Sequence, residues 1–140
     1  MRAMVSRVTL FWLFAWTGAV LAQPTEVRPL LKGVTAVRVA NYGSPSNLVR
    51  EREEVRALVD EINQLRKKRW LKVDSKLSCY STIVFLNGDK QLALFRIGPG
   101  RVVERTLEKQ PVSYTLAVEE GEILKHLEEL SRAQPAKNCS

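Results

Sequence analysis

Asn87-Gly88 constrains this chain more than any other pair of residues. It stands between two runs rich in β-branched and aromatic residues, Cys79-Tyr-Ser-Thr-Ile-Val-Phe-Leu86 and Gln91-Leu-Ala-Leu-Phe-Arg-Ile97. Both residues of an Asn-Gly turn tolerate positive φ, so the pair predicts a tight hairpin and, with it, an antiparallel sheet. Gly98-Pro99-Gly100 supplies a second turn, from which Arg101 to Glu104 returns as a strand. A further strand is predicted from Val112 to Ala117, after the break at Gln110-Pro111.

Upstream, Val34-Thr-Ala-Val-Arg-Val39 reads as a strand, and Gly43 and Pro45 provide the turn before a short return at Leu48-Val49. Between Glu51 and Arg69 the apolar residues Val55, Leu58, Val59, Ile62 and Leu65 recur at three- and four-residue intervals, which places them on one face of a helix. Its acids fall in the first turn and its bases in the last, as the helix dipole favours. A second amphipathic helix is expected from about Glu119 to Leu130, burying Ile123, Leu124, Leu127 and Leu130, and Pro135 bars its extension. The expected fold is therefore α+β in the order ββαβββ(β)α, an antiparallel sheet with two helices packed against it.

The N-terminus sets the compartment. Arg2 and Arg7 precede the apolar run Val8 to Val20, and small residues stand at Val20 and Ala22 before Gln23 and Pro24. This is the layout of a cleavable secretory signal over residues 1–22. The run is short of the roughly 20 apolar residues of a spanning helix and contains Gly18, so no stable membrane anchor is expected after cleavage. Residues 23–33 then form an extended lead-in, 34–131 a single domain and 132–140 a C-terminal tail. Arg2 and Arg7 leave with the leader, so 20 basic residues face 15 acidic ones in the mature chain. That excess is modest and interspersed, as on an ordinary exposed surface.

Cys79 and Cys139 are the only cysteines, and both lie in the exported part. In an oxidising compartment they are expected to pair, tethering the tail, and the chain-entropy account gives such a loop about 4 kcal/mol of stabilisation.

The domain resembles the small exported domains of unknown function found in bacterial envelope proteins. The likeness spans Val34 to Leu130 and is carried by Val55 to Asn63, Asn87-Gly88, Tyr114 and Ile123 to Leu130. It implies element order and carries no activity with it. Many such domains are lipid-anchored, whereas no cysteine lies near the cleavage site here.

No residue pattern marks a catalytic, cofactor or metal site. His126 is the single histidine and has no partner constellation, and a structural zinc site would need four Cys or His ligands. Glu119, Glu120, Glu122, Glu128 and Glu129 suit a helix start and a solvated helix face better than a hydrolytic carboxylate pair. Gly98 to Arg101 lacks the Lys-Ser/Thr of a phosphate loop. The most distinctive run is Arg66, Lys67, Lys68, Arg69, Trp70 and Lys72. It is either a basic binding patch with tryptophan at its centre or a helix end whose cations offset the dipole while Trp70 closes over the core.

Taken together these features point to an exported, periplasmic or extracellular, non-enzymatic protein-binding module of the inhibitor or immunity type. Its partner would be an unidentified protein or an acidic envelope component, with nucleic acid discounted. The alternatives are a cell-wall hydrolase with an unrecognised carboxylate pair and an envelope accessory or structural subunit.

Overall fold

The computed structural model describes residues 24–40, 46–77, 80–98 and 100–118. The strands are β1 (Thr25–Val27), β2 (Ala36–Ala40), β3 (Asn47–Val49), β4 (Arg69–Leu71), β5 (Ser81–Asn87), β6 (Lys90–Gly98), β7 (Arg101–Arg105) and β8 (Ser113–Ala117), with one helix, α1 (Arg52–Arg66), between β3 and β4. All eight strands join one antiparallel sheet in the order β1-β4-β8-β7-β6-β5-β2-β3.

The expectation of an α+β fold with two helices against the sheet is thereby corrected. The described residues are mainly β, an eight-stranded sheet carrying a single helix. Two strands were not anticipated, because β1 and β4 are three residues each and too short to show an alternating pattern. β1 lies inside the expected lead-in, and β4 takes Arg69 to Leu71 out of the basic run. The second helix expected over 119–130 lies outside the described residues, as do the leader, His126, Cys79, Cys139 and the tail.

The turns follow from their glycines. Gly88 sits at φ 57° in the β5–β6 turn and Gly100 at φ 73° between β6 and β7, conformations that cost an L side chain energy. One face of the sheet packs against α1 through Val37, Val39, Ile83, Phe85, Phe95 and Val102, which meet Val55, Leu58, Ile62 and Leu65 of the helix. Phe85 meets Phe95 edge-on, with ring centroids 5.6 Å apart and planes at 89°.

The helix stops at Arg66, short of the Arg69 that periodicity allowed. The reason is local: Trp70 is fully buried, and its indole Nε1 donates to the Leu65 carbonyl at 2.9 Å. That carbonyl is one of those a helix end leaves without an intrahelical partner, so the indole acts as a cap while its ring fills the core. Reaching that position requires the chain to turn out of the helix by Lys68. On the other side of α1, the Asn63 amide accepts from the Leu31 N–H at 2.7 Å and donates to the Leu31 carbonyl at 3.1 Å. This two-bond clamp holds the lead-in against the helix and so shapes the groove described next.

Candidate binding surface

The basic run named from the sequence is divided by the fold. Arg66 and Trp70 turn inward, whereas Lys67, Lys68, Arg69 and Lys72 are exposed. Arg66 Nη2 donates to Glu104 Oε1, its Nη1 donates to the Pro29 carbonyl, and its guanidinium lies 5.4 Å from the Phe95 ring centroid. Glu104 is also bound by Arg28, whose Nε donates to Oε2 at 3.2 Å and whose guanidinium stacks 4.0 Å from the Tyr114 ring centroid. Two guanidiniums thus share one buried carboxylate. Burial lowers the Arg66 pKa from its ordinary value, and the charge of Glu104 and its hydrogen bond oppose that effect. These groups hold β7, α1 and the lead-in together. With Glu104 enclosed and doubly paired, it is unsuited to proton transfer with a substrate.

A second set of cations has the opposite character. Leu31, Val34, Val55 and Val59 floor a groove of about 460 Å³ between the lead-in and α1, and Lys32, Arg50, Arg52 and Arg56 rim it. All four cations are exposed, and none forms an ion pair among the described residues. Among the described residues no carboxylate lines the groove, although Glu51, Glu53 and Glu54 occupy neighbouring positions in the chain.

The placement of these cations works against the helix that carries two of them. Arg52 occupies the first helical position, where the dipole disfavours positive charge, and Arg52 and Arg56 are four apart on one face, where like charges repel. Each effect amounts to a few tenths of a kcal/mol, and neither arginine closes an ion pair among the described residues, although Glu53 and Asp60 stand three and four positions from Arg56. The Glu51 side chain makes no capping bond, so the amino-terminal N–H groups add to the positive potential beside Arg52.

No spacing along the chain reveals this groove, because its residues come from two stretches, 31–35 and 50–59, which the Leu31–Asn63 clamp and the Arg66–Pro29 bond bring together. The signal that was available is Arg52 and Arg56 themselves, two cations against the grain of an otherwise dipole-matched helix.

Among the described residues there is no group of three or more His, Cys, Asp or Glu that could hold a metal ion, and no helix long and apolar enough to cross a membrane. The chain matches no family model, no curated protein and no solved structure.

Proposed function

We propose that this protein is an exported, non-enzymatic binding module that uses the groove between the lead-in and α1 to hold an acidic protein partner. One observation carries the reading: among the described residues, four exposed cations without ion pairs surround an apolar floor that no carboxylate lines. Such a site fits a protein surface that places an apolar side chain on Leu31, Val55 and Val59 and flanking carboxylates against Lys32, Arg50, Arg52 and Arg56. The apolar contact supplies affinity and the surrounding charges supply orientation and association rate. Export rests on the leader over residues 1–22, and an inhibitor or immunity-type role suits a small domain built on one continuous sheet.

The test is capture from the exported fraction with the mature chain and with an R50Q/R52Q/R56Q variant, at low and at high salt. A partner retained by the parent, lost by the variant and weakened by salt supports the reading, since exposed charges act through screened attraction. Equal retention by both proteins excludes the groove. Release of soluble fragments from purified cell-wall material by the mature chain supports the hydrolase instead.

A further inference from the structure

With Trp70 turned into the core, the alternation of β4 sends Arg69 and Leu71 to the opposite, outer face of the sheet. The antiparallel register with β1 sets Val27 beside Arg69 and Thr25 beside Leu71, so Val27 and Leu71 are diagonal neighbours on that face. After β4 the chain folds over the same face, where Thr115, the partner of Leu71 on β8, donates from its Oγ1 to the Val73 carbonyl at 2.9 Å. Val27, Leu71 and Val73 are all exposed. Around them stand Lys67, Lys68, Arg69, Lys72 and Lys76, exposed and without an ion pair among the described residues. Asp74 is the only acid from 67 to 76. Lys67 and Lys68 complement the helix dipole, but Arg69, Lys72 and Lys76 lie beyond the helix and serve no such purpose.

We propose that this corner of the sheet is a reversible contact for a bilayer surface rich in anionic lipid, with Val27, Leu71 and Val73 entering the headgroup layer and the cations lying over lipid phosphates. Two observations favour a bilayer over a protein. The first is the kind of cation: four lysines and one arginine stand here, against three arginines and one lysine around the groove. Protein interfaces enrich arginine, whose planar fork pairs with carboxylates in fixed geometry, and they deplete lysine. An anionic bilayer attracts through its surface potential, for which a flexible point charge suffices, and lysine stems lie along the apolar boundary with the ammonium in water. The second is shape. Three short aliphatic side chains project from two strands and the stretch after them, and neither the groove beside α1 nor the hollow lined by Arg28 and Glu104 includes any residue of this corner. Such residues reach only a shallow depth, so charge dominates and the contact is sensitive to salt. Arg52 and Arg66 mark the two ends of α1, about 21 Å apart, so the groove stays open to its own partner while the corner rests on a membrane.

The experiment uses the full mature chain and vesicles of phosphatidylcholine, with and without an equimolar share of phosphatidylglycerol. Sedimentation at low salt is expected only with the anionic vesicles, and high salt should release the protein. A basic residue near an anionic surface contributes about a fivefold gain in partitioning, so K67Q/K68Q/K72Q is expected to weaken it by about 100-fold with at most a small fall in melting temperature. R50Q/R52Q/R56Q should lose far less, since its cations lie at the other end of α1. A second measurement reports the place of contact. Leu71→Trp and Leu48→Trp put an indole at this corner and at the opposite edge of the sheet, against the constant background of the buried Trp70. Binding is expected to shift the emission of the first variant to the blue and leave the second unchanged. The proposal is overturned by absence of sedimentation with anionic vesicles, by equal partitioning of the parent and K67Q/K68Q/K72Q, or by a blue shift at position 48 alone. Capture of a protein that depends on Lys67, Lys68 and Lys72 while the vesicles stay unbound overturns it too, and assigns the corner to a protein partner.

Discussion

Arginine serves two opposite purposes in this domain, and the contrast between the Glu104 cluster and the groove shows what separates them. Arg28 and Arg66 lie against aromatic rings and share one carboxylate inside the structure. Arg50, Arg52 and Arg56 are exposed, and α1 carries two of them at positions that its own electrostatics disfavour. A buried charge without a partner costs several kcal/mol, so the interior arginines must be paired for the chain to fold. An exposed charge costs only tenths, which leaves the groove cations free for another molecule. Breaking the first region should therefore be read in stability and breaking the second in binding.

The largest stability effect is expected for Trp70→Ala. Trp70 is fully buried, stands 6.3 Å from Phe95 between centroids and caps the Leu65 carbonyl. Truncating a core tryptophan costs about 3 to 5 kcal/mol, and chemical denaturation of the mature chain should show it. A variant that unfolds at the parent midpoint would place Trp70 outside the core and among the exposed side chains of the basic run.

Glu104→Gln comes next. It leaves two guanidiniums facing a neutral amide, with an expected loss of about 3 kcal/mol. The double replacement E104L/R66M should recover part of that loss, because it removes the more deeply buried cation together with the carboxylate and leaves only the more exposed Arg28 unpaired. If the double variant is as unstable as the single one, Arg66 matters chiefly through its bond to the Pro29 carbonyl.

Much of the sheet was legible in the sequence because its signals are local. Asn87-Gly88 marked the β5–β6 hairpin, Gly98 and Gly100 the next turn, and Val55 to Leu65 the helix stripe. The two missed strands illustrate the limit: β1 and β4 gain their identity only by pairing with each other and, at Leu71 and Thr115, with β8. The same limit hid the candidate site. Arg66 read as one member of an exposed run, but Glu104, 38 residues away, draws it inside. Lys32 and Arg50 acquired significance only when the Asn63 amide brought the lead-in beside α1. Long-range pairing decided each of these cases, and no spacing along the chain encodes it.

On the binding side, Arg52→Gln with Arg56→Gln should change stability by no more than about 0.5 kcal/mol, with a slight gain from relieving their mutual repulsion. Partner retention should fall, most clearly at low salt. A stability loss of about 2 kcal/mol in this variant would blur the division between the two regions, because it would make the groove cations part of what holds α1 in place.

The effect that shows itself only at alkaline pH concerns the edge of the interior cluster, where Tyr114 lies beneath Arg28. The Tyr114 pKa is raised, first by its hydrogen bond to Glu26 and then by burial, with the Arg28 charge opposing. A raised tyrosine means that the folded chain holds the phenolic proton more tightly than the unfolded one. Its contribution is therefore fully present below the unfolded value of about 10 and is lost as pH rises through the higher folded value. Tyr114→Phe keeps the ring under Arg28 and removes the titrating group, at a cost near neutrality of about 0.5 to 1.5 kcal/mol for the lost hydrogen bond. Above pH 10 the parent should lose stability more steeply than Y114F, so the two denaturation midpoints should converge. Lysine titration occurs in both proteins and cancels in the difference. Midpoints that stay parallel from pH 7 to 11 would show that the phenol is not held by Glu26, and that Tyr114 serves the cluster only as an aromatic surface for Arg28.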